Sequence, residues 1–137
     1  MPEAKWGTPR TRSSNIASTV LNSLANGSES AVMTYDNSSN KDLYGVVTIK
    51  LGSITPSAGG SLMLRVTMSD GTDTADKAAG DRYPIELLSG ASAKVVVIPL
   101  VRLYPFSLRL SVVNNSGVTL NASGNEIYVT GCNEASS

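Results

Sequence analysis

Asp70, Asp73, Asp76 and Asp81 crowd the stretch DGTDTADKAAGD, and clustered carboxylates are the usual material of a calcium site. Calcium needs several oxygens converging on one point, and an EF-hand loop sets them in the order D-x-[DN]-x-[DN]-G. The spacing here does not match that order, so the stretch reads as a solvated or contacting loop. Paired carboxylates for sugar hydrolysis are not decided by spacing alone. Glu29, Glu86 and Glu126 each fall at an expected turn or strand edge, where an acidic side chain is ordinarily solvated. Nucleophilic catalysis by serine needs a base within hydrogen-bond reach. The chain has no histidine, which leaves a Ser–Lys pair as the main option, and Lys5, Lys41, Lys50, Lys77 and Lys94 are read as lying in no S-x-x-K frame. Cys132, the single cysteine, follows Gly131 in a polar stretch with no basic neighbour to lower its pKa, the setting of an inert thiol. One cysteine excludes an intramolecular disulfide and argues weakly against an oxidising compartment. These residues predict no enzyme, no cofactor and no metal.

The charge balance narrows the partners. Eleven basic and 11 acidic residues give a formal net charge of +0. Phosphate contacts supply most of the affinity of nucleic-acid binders, and these normally show a basic stripe. Here only Arg10 and Arg12 lie close together, so no nucleic-acid partner is expected. The N-terminal MPEAKWGTPR has no apolar run of signal-peptide length, and nothing approaches the roughly 20 apolar residues of a membrane helix. No membrane partner is expected, nor export by the usual signal.

The elements that must position any site are strands. Phe106, Leu108, Leu110 and Val112 alternate with Ser107, Arg109 and Ser111, the period of a strand with one buried face. Asn114 to Gly117 end it, since Asn and Gly tolerate the left-handed conformations of tight turns. Ile127 to Val129 form the next strand. Leu62, Leu64, Val66 and Met68 face inward from another strand, with Arg65 and Thr67 outward. Leu43, Val47, Ile49 and Leu51 share the inner face of a further strand. Ser30 to Tyr35 is a short strand, and Tyr83 to Leu88 is an edge strand or strand start because of Pro84. Val95 to Leu103, apolar on both faces, reads as a central strand that Pro99 bulges or bends. Asn15 to Ala25 is extended or a short helix: Ile16, Val20 and Leu24 at i, i+4 and i+8 suit one helical face, while Ser18, Thr19 and Val20 are poor helix formers. Four N-x-[ST] triplets, at Asn26, Asn37, Asn114 and Asn121, read as turn composition. The expectation is an all-β, two-sheet antiparallel sandwich of jelly-roll or Greek-key type. The sandwich spans residues 15–133, preceded by an extended arm (1–14) and followed by a polar tail (134–137).

That arm holds Pro2, Pro9 and the single tryptophan, Trp6. Such a tryptophan is disordered, packed on its own domain, or inserted into a neighbour. Tryptophan is the residue most enriched at binding hot spots, so Trp6, Thr8, Pro9, Arg10 and Arg12 form the candidate protein–protein interface.

Trp6-Gly7-Thr8-Pro9-Arg10-Thr11-Arg12, Asp36-Asn37-Ser38-Ser39-Asn40-Lys41, Ser69-Asp70-Gly71-Thr72, Asn114 to Leu120 and Gly124-Asn125 follow one another in an order that resembles a group of small tailed-bacteriophage virion proteins. Within that group the chain is similar to jelly-roll capsid decoration, or cement, proteins. Thr72 to Leu88 matches least. The resemblance implies a structural protein made in the host bacterial cytoplasm and carried on the outer capsid surface of the virion. It implies a homotrimer or homodimer whose partner is the major capsid protein, with no catalytic residues. A glycan- or receptor-binding sandwich of a head or tail fibre is the alternative.

Overall fold

The computed structural model describes residues 4–67, 69, 72–74, 76 and 80–136. Among them there is no helix, and the strands are β1 (Ala4–Trp6), β2 (Met33–Asp36), β3 (Tyr44–Ile54), β4 (Ser61–Thr67), β5 (Asp81–Glu86), β6 (Ser92–Arg102), β7 (Ser107–Asn115), β8 (Glu126–Cys132) and β9 (Glu134–Ser136). They form a four-stranded sheet in the order β2-β7-β4-β5, a three-stranded sheet in the order β6-β3-β8, and a small β1-β9 ribbon. Every pairing is antiparallel. The chain is therefore the all-β antiparallel sandwich that its alternating pattern predicts. Among the described strands only β4 and β5 are consecutive neighbours within a large sheet; each other step from β2 to β8 crosses between sheets.

The core is aliphatic. Leu62, Leu64 and Val66 of β4 and Leu108, Leu110 and Val112 of β7 face Val47, Ile49 and Leu51 of β3 and Ile127 and Val129 of β8. Burying each such side chain contributes roughly 1.5–3 kcal/mol relative to leaving it in water.

Four expectations change. Leu43 is exposed, because β3 begins at Tyr44 and the inward place beside it belongs to Gly45, over which the Leu103 side chain packs at 3.1 Å from where a Cβ would stand. The Val95–Leu103 segment is not central: β6 is the outer strand of its sheet, paired with β3 on one side only among the described residues. The register shift opposite Gly45 and Val47 does place a bulge at Pro99 and Leu100, with Leu100 at φ 57°. Asn15 to Ala25 is neither strand nor helix but successive i→i+3 turns, with Val20, Asn22 and Leu24 donating to Ala17, Thr19 and Leu21. Ala17 and Leu21 are the residues these turns drive into the core. Residues 134–136, expected as tail, pair with β1. β5 lies at a sheet edge, as Pro84 requires. Met68, Asp70, Gly71 and Lys77 lie outside the described residues.

Candidate functional site

The exposed strand β8 would leave a row of backbone donors and acceptors unpaired, a template for another chain. The arm covers it. N–H groups of Gly7, Arg10, Ser13 and Ile16 donate to the carbonyls of Asn133, Gly131, Val129 and Ile127 at 2.8–3.0 Å. The arm thus advances three residues for every two of the strand, which is not a β ladder. Side chains fill the mismatch: Ser13 Oγ accepts from the Val129 N–H and Asn15 Oδ1 from the Ile127 N–H, both at 3.0 Å. Small polar residues suit this task because their oxygens sit close enough to the main chain to stand in for a carbonyl.

A buried carboxylate latches the arm. Asp42 sits at the end of the Asn37–Asp42 turn, its side chain 1% exposed. Arg10 Nε shares both its oxygens, at 2.7 and 2.9 Å, and Asn133 Nδ2 donates to Oδ1 at 2.7 Å. Asn133 Oδ1 in turn accepts from the Leu43 N–H. Fully buried Asn37 clamps the turn, donating to the carbonyls of Asp42 and Tyr104 and accepting from the Asp42 N–H. The Asp42 hydrogen bond pushes the Arg10 guanidinium pKa up, holding it charged. Gly131 is required beside this carboxylate, because a Cβ there would run into Asp42 Oδ2.

Two aromatic rings on the outer face of the three-stranded sheet hold the rest of the arm. Trp6 meets Tyr44 edge-on, with ring centroids 5.7 Å apart and planes at 78°, the geometry that ring quadrupoles favour. Arg12 lies over Tyr128 at 3.8 Å from its centroid, a cation–π contact worth about 0.5–1 kcal/mol at an exposed site. The Tyr128 hydroxyl donates to the Glu126 carboxylate, which raises the phenol pKa. Trp6 nevertheless stays 52% exposed. Thr8 and Pro9 are exposed between the latched residues. Of the candidate interface residues, the structure therefore anchors Trp6, Arg10 and Arg12 on the domain itself and leaves the indole half in solvent.

Elsewhere the chemistry is sparse. Among the described residues no group of three or more His, Cys, Asp or Glu side chains could hold a metal ion. Ser38 and Lys41 stand in S-x-x-K spacing, which sequence reasoning missed, but Ser38 Oγ donates to Asp36 Oδ1 at 2.6 Å. Burial, and then the Asp42 charge, push the Cys132 thiol up. Glu29 pairs with Arg65 at 3.2 Å and accepts from Ser111 Oγ at 2.6 Å. A cleft of about 360 Å³ is lined by Ser38, Ser69, Thr72, Thr74, Phe106, Ser107 and Arg109.

Asp42, Asn133, Tyr44 and Tyr128 carry no motif in the sequence. The Asp36-to-Lys41 stretch quoted for the resemblance ends one residue before Asp42. No family model matches the chain, and no curated protein matches it.

Proposed function

We propose that this chain is a structural virion protein that binds the outside of a phage head, bridges neighbouring major capsid subunits and so stabilises the capsid. The observation that carries the reading is the state of Trp6: anchored on Tyr44 by a fixed arm, yet more than half exposed. A large aromatic held rigid and presented to solvent loses little further entropy on binding, the property of a hot-spot anchor. The order of the arm, DNSSNK, SDGT and C-terminal turn motifs supports the same assignment. Binding would be mechanical: the free energy gained only on the assembled lattice stabilises the head by mass action, and many copies add avidity. Co-sedimentation with empty expanded heads lacking the protein tests this. Saturable binding to heads, absent with free major capsid protein, supports it; no binding to heads rules it out.

The second reading, a glycan- or receptor-binding sandwich of a head or tail fibre, is favoured by one observation, the cleft lined by hydroxyls with Phe106 and Arg109. Hydroxyls, an aromatic ring and a guanidinium are the groups that would hold an acidic sugar. A glycan array without hits would remove it.

A further inference from the structure

The two large sheets have four edges, and among the described residues three are protected by recognisable devices. The β8 edge lies under the arm. The β2 edge is four residues long and ends in Asp36. The β5 edge carries Asp81, Arg82, Pro84 and Glu86. Short length, charge, proline and a covering segment are the standard ways to keep an edge from pairing. The fourth edge, β6, has none of them among its own exposed residues from 92 to 98, and the segment nearest it, Glu86 to Leu88, leaves Val95 and Val97 open to solvent. Its exposed positions there are Ser92, Ala93, Val95 and Val97, with Val95 65% and Val97 55% exposed. The one charged residue in the stretch, Lys94, faces inward and is buried, its ammonium bonded to Gly90 O and Ser92 Oγ.

The outer face of this sheet also changes character toward β6. Cross-strand rows run Glu126–Lys50–Val95 and Tyr128–Thr48–Val97. Polarity is concentrated inside the sheet and apolar surface at its rim, the reverse of what a solvent-facing edge needs.

We infer that the Ser92–Ile98 edge of β6 pairs antiparallel with the same edge of a second copy of this chain, about a twofold axis at Val95. The Pro99–Leu100 bulge ends the pairing, since proline offers no N–H and the bulge breaks the ladder. In this register Ala93, Val95 and Val97 of both copies meet on the outer face, and the two sheets fuse into one of six strands. A second copy is favoured over another partner because the edge is neutral and self-complementary: nothing on it calls for an opposite charge. Arg102 lies beyond the bulge, so the two Arg102 residues stand roughly 40 Å apart at about 3.3 Å per residue. An isologous contact of this kind closes on itself and stops at two copies. Edge pairing alone buries less than the roughly 800 Å² per partner of a standard interface, so the dimer is expected to form in the micromolar range. The inference stands apart from the capsid reading.

Sedimentation velocity of the full chain, across about 1–200 μM, and of Val97→Lys tests it. The expected result is a concentration-dependent dimer that Val97→Lys shifts at least about tenfold toward monomer, with far-UV circular dichroism and melting temperature unchanged. In a Cys132→Ser background, Val95→Cys is expected to oxidise to a disulfide-linked dimer. A protein that stays monomeric throughout, a trimer, or a dimer that Val97→Lys leaves intact would each overturn the inference.

Discussion

Replacing Asp42 by alanine should undock the arm while leaving the sandwich folded. The carboxylate accepts from Arg10 Nε and Asn133 Nδ2. Arg10, at 44% side-chain exposure, returns to water when its partner is lost. The cost therefore falls below the roughly 3–5 kcal/mol of stranding a buried charge. What remains is the Asn133 bond to a charged acceptor and an amide left short of a partner, together about 2–3 kcal/mol. For a domain of this size that corresponds to a fall in melting temperature of roughly 8 °C. Trp6 is the single tryptophan, so its fluorescence reports on the arm alone. In Asp42→Ala its emission should shift to the red and acrylamide quenching should rise at temperatures where the far-UV spectrum is still native. Unchanged emission and quenching, with a melting temperature within about 1 °C of the parent, would refute the latch.

Other consequences follow from the same geometry. Gly131→Ala forces a methyl into Asp42 Oδ2, so it should cost about 1–3 kcal/mol by overpacking and reproduce the Trp6 signature, read by urea melts and fluorescence. Asn114→Ala removes the donor to the Leu24 and Val118 carbonyls and the acceptor of the Ser116 N–H and hydroxyl, all from a fully buried side chain. It should cost about 3 kcal/mol or more, measured by the urea midpoint. The Cys132 thiol is pushed up first by burial and then by the Asp42 charge; both disfavour the thiolate. Alkylation by iodoacetamide should therefore reach half its maximal rate at a higher pH than for an unstructured cysteine peptide. Asp42→Asn should move that midpoint down, and a midpoint at or below the peptide's would contradict the assignment.

The strands were legible where one face meets the core and the other meets water. Leu62, Leu64 and Val66, and Leu108, Leu110 and Val112, alternate for that reason and are buried as expected. β6 was misplaced because a run apolar on both faces looks the same whether the second face meets a sheet or lies at an exposed rim. Ile16, Val20 and Leu24 suggested a helix, yet each is only partly buried while Ala17 and Leu21 face inward. All five positions keep helical spacing, but Ser18 at φ 49° and Ser23 at φ 56° break the segment into successive i→i+3 turns. The prolines point to an extended arm, and Ala4–Trp6 is a strand, but from Gly7 to Ile16 the chain takes three residues for every two of β8 and so is shorter than an extended chain. The docking of the arm was not legible, because the partner of Arg10 is a turn aspartate 32 residues away, itself bonded by an asparagine near the C-terminus. Such a site has no local spacing to read. Of the N-x-[ST] triplets, Asn37 opens a turn as expected, whereas Asn114 lies within β7; both are fully buried and bond the backbone of neighbouring loops.

The central claim is that the latched arm presents Trp6 to a capsid partner. The most direct test compares binding of the parent protein and Trp6→Ala to empty expanded heads, with melting temperatures measured alongside. A hot-spot anchor predicts saturable binding by the parent and an affinity loss of about 30-fold or more in the variant, with the sandwich still folded. Equal binding by the two proteins, or none by the parent, would contradict the account.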